Sequence, residues 1–348
     1  MRGCDRPADS VGEDDRVASP SVATFPPGSR LSDPPLAVAD EESASLLRRP
    51  SRWIAAWRAA VRQISHGGEA AGLVAVMAVF ACLPVGVASA LGGFLGRGIG
   101  PRLRASRVAR RNLSRALPTN SAAENERILR AMWDNLGRAV AENPHLRRVC
   151  AAGSGRVEVV NGDAIAALLA SGRPSLLFGG HFANWEVGPT TVHRMMGSAL
   201  LSVYRAANNP WVDWLQRRGL RTRRAVAKGA QGGRELIRHL RRGGHVAMLV
   251  DQKLNDGIAV PFFGRDAMTA PAIARLAQQF DCPIVPVRVE RLSGARFRFT
   301  VEPSFTVADS GDAAADVQAA MARVNAVIEG WVRARPEQWL WLHRRWPD

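Results

Sequence analysis

From about residue 155 onward the apolar positions come in short runs separated by longer amphipathic stretches. The runs are Val157–Val160, Ser175–Phe178, Ala199–Val203, Val246–Val250, Ile284–Val289 and Phe297–Val301. Such runs, bounded by turn-forming residues, predict buried strands. Between them Ala164–Ala170, Trp211–Arg218, Gly233–Arg241 and Ala270–Gln279 read as helices, and residues 313–335 as a last one. Strand and helix in alternation predict an α/β sheet with helices on its faces.

Upstream the pattern changes. Residues 106–150 predict helix, with Ile128, Leu129, Met132, Trp133 and Leu136 as its apolar stripe. Ala70–Gly96 is a run of 27 residues without a charge. At ~1.5 Å per residue it is long enough for a bilayer of ~30 Å. Pro84 and several glycines interrupt it, so a kinked or re-entrant helix and a buried core helix fit the same pattern. Before it, Arg52–Arg62 sets Trp53, Ile54, Trp57 and Val61 at helical spacing among arginines, which suits a membrane interface or an ordinary surface helix. Arginines flank both ends of the apolar run, so charge asymmetry assigns no orientation. The division predicted is a disordered acidic tail over 1–50, a membrane-associated helical region over 51–115 and an α/β catalytic domain over 116–348.

Charge sharpens this picture. The 348 residues carry a formal net charge of +16. Residues 1–50 hold seven prolines and a charge of 6 − 9 = −3, leaving 41 − 22 = +19 on the remainder. Lys228 and Lys253 are the two lysines, so nearly all of the basic charge is guanidinium, which pairs bidentately with phosphate and carboxylate. An anionic partner follows: nucleic acid, a membrane surface, or an acidic carrier or substrate. Ten basic residues between Arg217 and Arg242 stand against the single acid Glu235, and suit an acidic carrier, lipid phosphates or a solvated helix face. Cys4, Cys82, Cys150 and Cys282 form no CxxC pair and the histidines form no HExxH, so neither a zinc site nor a disulfide framework is predicted.

The segment with most chemistry runs from Ser175 to Glu186. An apolar strand ends in Gly179-Gly180, and His181 follows at the carboxyl end, where α/β sheets place ligands. Glu186 lies five residues on. Such a carboxylate can hold one imidazole nitrogen while the other faces a substrate, the arrangement of a general base. On the bare spacing alone, a loop histidine with a satisfied hydrogen bond is the better reading.

Gly180-His181-Phe182-Ala183-Asn184-Trp185-Glu186 resembles the HX4(D/E) block of the lysophospholipid acyltransferase superfamily, and its Asn-Trp-Glu ending resembles the late acyltransferases of lipid A biosynthesis, lauroyl and myristoyl type. Further blocks agree in order: Val203-Tyr204-Arg205, Asn208-Asn209-Pro210, Asp251-Gln252, Val260 to Gly264, Ala267-Met268-Thr269, and the tail Pro336 to Trp346. The resemblance covers roughly residues 55–346 and implies a mixed sheet flanked by helices, with an N-terminal hydrophobic membrane helix. It implies His181 as general base and Glu186 as its orienting carboxylate. It further implies substrate contacts from Arg205, Asp251, Asn184, Tyr204, Phe262, Phe263 and Thr269. Beside these stand structural roles: Asn184 as a helix cap, Asp251 as a hydrogen-bond acceptor, Phe262 and Phe263 in core packing, Thr269 as the next helix cap. His193, His239, His245 and His343 belong to no paired motif and read as structural.

The function implied is transfer of a fatty acyl chain from an acyl carrier protein thioester to a hydroxyl of a Kdo-bearing lipid A precursor. The setting implied is the cytoplasmic face of a bacterial inner membrane, with an anionic glycolipid acceptor, no cofactor and no metal. The alternatives are another lipid acceptor (a phosphatidylinositol mannoside, an aminolipid or a lysophospholipid) and a non-enzymatic basic protein binding membrane or nucleic acid. No nucleic-acid-reading motif supports the last.

Overall fold

The computed structural model describes residues 52–207, 209–219 and 224–347. The acidic tail expected over 1–50 lies outside the described residues, as do the side chains of Arg52–Arg62. The chain divides into two units, Met1–Trp57 and Arg58–Asp348. In the first, residues 52–57 are helical.

The second unit is built on a seven-stranded sheet. Its strands are β1 (Val157–Val160), β2 (Ser175–Gly179), β3 (Leu200–Tyr204), β4 (Ala225–Ala227), β5 (His245–Leu249), β8 (Ile284–Ser293) and β9 (Arg296–Val301), in the order β1-β9-β8-β2-β5-β3-β4. Neighbours are parallel except the β8–β9 hairpin, so the sheet is mixed. β2 lies at the centre and is buried along its whole length. Leu176 and Phe178 enter one core, with Val246, Leu201 and Ile284. Leu177 enters the other, with Ala247, Leu200 and Val285. Burial on both faces explains why these strands read as unbroken apolar runs. A two-stranded hairpin, β6 (Lys253–Phe262) and β7 (Arg265–Thr269), was not predicted; its first half is partly exposed and carries charge.

The helical region breaks at Pro84, the interruption that the sequence marks. The apolar run is divided between α1 (Arg52–Cys82) and α2 (Val85–Ile99). Proline has no N–H for the helical ladder and restricts the residue before it, so the first helix stops there. No helix among the described residues is long and apolar enough to cross a membrane. The hydrophobic helix implied over Ala70–Gly96 is thus not one continuous helix but two segments, interrupted at Pro84.

The glycines of that run have a specific use. α3 (Ser106–Ala116) and α4 (Ala122–Glu142) follow, and α2 packs on α4. A methyl group on Gly92 would lie 2.3 Å from the Gly137 carbonyl oxygen, and one on Gly96 would lie 2.1 Å from that of Trp133. The two backbones meet where only glycine fits. The opposite face of α2 leaves Val87 and Phe94 52% and 60% exposed. α4 begins at a reciprocal cap, in which Ser121 Oγ accepts from the Glu124 N–H and Glu124 accepts from the Ser121 N–H.

After the one-turn α5 (Leu146–Val149), α6 (Asp163–Ala170) and α7 (Val187–Met196) flank the first strands. α8 (Pro210–Gly219), α9 (Ala230–Leu240), α10 (Ala272–Phe280) and α11 (Ala313–Ala334) complete the set. The aromatic tail Trp339–Trp346 returns to the sheet. Trp346 stacks on Phe262 with ring centres 5.6 Å apart, and Trp339 and Trp341 meet edge to face at 4.7 Å.

Candidate active site

Four strand ends converge at one edge of the sheet. His181 lies two residues past β2, Asp251 two past β5, Arg205 one past β3 and Lys228 one past β4. Parallel strands end on the same side, and loops leaving them face the same space.

The His181 loop is held on both sides. Phe182 N–H donates back to the Gly180 carbonyl at 2.8 Å, and Ala183 adopts a φ of 48°. The tail then pairs with the loop like an added strand: Ala183 N–H donates to Gln338 O and Leu340 N–H to His181 O. A methyl group on Gly180 would lie 3.2 Å from Asp251 Oδ2, so the glycine leaves room for that carboxylate.

Asp251 is 1% exposed and meets the ring at its Nδ1 edge. Its Oδ1 accepts from His181 Nδ1 at 2.7 Å. Its Oδ2 accepts from the His181 backbone N–H at 2.7 Å and from the Trp339 indole N–H at 2.8 Å. Burial disfavours the anion, but the imidazole and these donors outweigh it and hold the carboxyl well below the usual carboxylate range. The partner of Nδ1 is thus Asp251, where the HX4E spacing had suggested Glu186. Asp251 is the nearer choice because β2 and β5 are adjacent and in register, Gly179 opposite Leu249. Glu186 opens α7 and lines the same cavity as His181.

With Nδ1 carrying a proton toward Asp251, His181 Nε2 holds a lone pair. The Gln252 amide nitrogen lies 3.1 Å from it and 3.0 Å from His343 Nε2. The His343 ring is 5.2 Å from that of His181, and Trp185 lies 5.3 Å away on another side. Burial above all, with the neighbouring His181, pushes the His343 pKa down to about 4, against an opposing pull from Asp251.

His181, Glu186, Tyr204, Arg205, Lys228 and Gln252 line one cavity of about 230 Å³. Leu177, Val192, Ala247, Leu249, Val287 and Val289 line it as well, so polar groups share it with an apolar surface. Desolvation first, then the adjacent Arg205, lowers the Lys228 pKa, although the residue as a whole is exposed.

Several expected contacts fall elsewhere. Asn184 is buried, accepts from the Glu186 N–H at 3.3 Å and donates to Glu142 at 3.0 Å. It shapes the start of α7 and does not line the cavity. Glu142 also receives Ser89 Oγ at 2.6 Å and the buried guanidinium of Arg291. Phe262 and Phe263 pack under the tail, because hairpin turn and tail bury each other's rings. Thr269 ends β7 and accepts from Arg345 Nη2 at 2.8 Å; it caps no helix and does not line this cavity. The residues not foreseen are Gln252, Lys228 and His343. The first and last sit in blocks that the resemblance had marked, Asp251-Gln252 and the His343-Arg344-Arg345 tail.

Comparison with known sequences bears directly on this centre. Residues 61–348 match the family of bacterial lipid A biosynthesis acyltransferases. The chain belongs to this family. It is 28% identical over 281 residues to the lipid A biosynthesis palmitoleoyltransferase of Escherichia coli (strain K12), covering 76% of this chain and 86% of that protein. It is 27% identical over 254 residues to the lipid A biosynthesis lauroyltransferase of the same organism, covering 70% and 79%. A lipid A biosynthesis acyltransferase of Haemophilus influenzae is 23% identical over 279 residues, covering 76% and 83%. As a member of the lipid A acyltransferase family, the protein is an acyl-transferring enzyme. The His181 segment and the tail that completes it both lie inside the matched region.

Proposed function

We propose that this lipid A family acyltransferase moves a fatty acyl chain from an acyl carrier protein thioester to a hydroxyl of a Kdo-bearing lipid A precursor, at the cytoplasmic face of the inner membrane. The observation that carries it is the His181–Asp251 pair opening on a cavity both cationic and apolar.

In this reading His181 Nε2 takes the proton of the acceptor hydroxyl as its oxygen attacks the thioester carbonyl carbon. A C–O bond forms and the carbonyl electrons move onto oxygen. Collapse of the tetrahedral oxyanion breaks the C–S bond, and the departing sulfur takes the proton from the His181 imidazolium. Asp251 fixes the tautomer and stabilises the transient positive charge. Arg205 and Lys228 supply positive charge for the oxyanion or for phosphates of the substrates. Glu186, on the same cavity, positions the acceptor. The apolar lining receives the acyl chain, and the exposed apolar face of α2 meets the lipid surface. The +19 on residues 51–348 suits an acidic carrier and an anionic lipid.

The test is an assay with purified acyl carrier protein thioesters and lipid A precursors, comparing the parent with His181→Ala, together with lipid mass spectrometry of a deletion strain. Loss of one secondary acyl chain from lipid A is the result expected. Unchanged lipid A with altered phospholipids would move the acceptor to another lipid class.

A further inference from the structure

The tail brings a second imidazole to the reaction centre. His343 is separated from His181 by 162 positions, yet one amide bridges the two rings. The tail is fixed there independently. The buried Asn112 amide donates to the carbonyl oxygens of Trp341 and His343 at 2.8 and 2.5 Å. Arg345, fully buried, anchors the next turn on Met268, Thr269 and Asn325. His343 is therefore held by contacts that owe nothing to His181.

A primary amide has two N–H donors and each neutral imidazole offers one lone pair. Gln252 has the geometry to give one N–H to each ring. We propose that His343 and Gln252 are positioning residues for proton transfer at His181: His343 holds the Gln252 amide so that its other N–H rests on the His181 Nε2 lone pair, in the seat that the acceptor hydroxyl takes. This rests on the acyl-transfer reading above. The incoming hydroxyl displaces that N–H while Gln252 stays tethered to His343. The bridge requires His343 to remain an acceptor, and its burial keeps it neutral. The charged groups around the pair are Asp251 at the Nδ1 edge of His181, Glu186 at the start of α7, Arg205 and Lys228 beyond β3 and β4, and Arg345 in the tail.

Kinetics and ring-nitrogen NMR together test it on the full chain. His343→Phe is expected to lower kcat by about ten- to a hundredfold through misplacement of the amide, with donor KM unchanged. His343→Gln, whose amide oxygen can accept the same N–H, is expected to recover most of that loss. Gln252→Met removes a donor that favours neutral His181, so the acidic limb of the kcat/KM profile moves to higher pH; Gln252→Glu moves it further. The second readout needs no turnover: in ¹⁵N-histidine spectra the His181 ring nitrogens shift in His343→Phe and return in His343→Gln. A folded His343→Phe enzyme with parental kcat, an unmoved acidic limb in Gln252→Met, or His181 nitrogens blind to His343 would each overturn the proposal. A parent without transferase activity would refute the functional reading instead, and the spectra alone would then decide whether the bridge exists.

Discussion

His181 Nδ1 donates to Asp251 Oδ1 at 2.7 Å, across the junction of two adjacent parallel strands and 70 positions of sequence. Asp251→Asn keeps the size of the side chain but removes the charge and offers an N–H where an acceptor is needed. We expect transfer to fall by roughly two to four orders of magnitude with the fold intact. Glu186→Gln is expected to lower transfer too, yet to leave the His181 ring-nitrogen spectrum unchanged. Spectra in which Glu186→Gln, and not Asp251→Asn, alters the Nδ1 signal would reassign the orienting carboxylate.

His343 makes stability depend on pH with a definite sign. Unfolded, it protonates around 6.5; folded, around 4. Between those values the unfolded chain binds more protons, so stability is lost as pH falls from about 6.5 towards 4 and is unaffected by this group above 6.5. The full loss is up to about 3 kcal/mol. Urea midpoints measured from pH 7.5 to 4.5 should fall less steeply in His343→Gln than in the parent.

The helix crossing at Gly96, with the open position Gly98 beside it, supplies a paired stability test. A methyl on Gly96 meets the Trp133 carbonyl oxygen at 2.1 Å, whereas one on Gly98, two residues on, meets nothing within 4 Å. Gly96→Ala is expected to destabilise by about 1–3 kcal/mol. Gly98→Ala should be neutral or stabilising by up to about 1 kcal/mol, since alanine is the better helix former. Equal thermal midpoints for the two variants would contradict the packing described.

Arg205 and Lys228 should show themselves in salt dependence. Replacing either with Met is expected to raise the KM of an anionic acceptor about tenfold and to flatten the dependence of kcat/KM on ionic strength. A rise in KM with an unchanged salt slope would point to lost packing of the long side chains instead.

Much of the scaffold is legible in the chain because its central strands are buried on two faces. Ser175–Phe178 and Val246–Val250 are continuous apolar runs for that reason, and both appear in the sheet within a residue of expectation. His181 is legible because a strand ending in two glycines exposes whatever follows. Its partner is not, since the five-residue spacing to Glu186 is local while Asp251 comes from a neighbouring strand. The hairpin Lys253–Thr269 is obscured by its charges and partial exposure. Asn184, Phe262, Phe263 and Thr269 occupy motif positions but serve packing and hydrogen bonding, because a motif records what a site needs to hold its shape as well as what touches substrate. Ala70–Gly96 is legible in part: hydropathy reports only the absence of charge, while Pro84 and the glycines that interrupt the run mark where the backbone breaks and packs.

The pairing of residues 338–340 with the His181 loop has a consequence for biosynthesis. Gln338 and Leu340 pin the loop, Trp339 bonds Asp251, and His343 bonds Gln252. All of these are translated more than 150 residues after His181. The β2 and β5 strands, with His181 and Asp251, are made early, but the His181 loop lacks its pins and Gln252 its second imidazole until the tail has been made and has returned to the sheet. A product that stops before residue 338 lacks all of these contacts, and its acyl transfer is expected to be reduced.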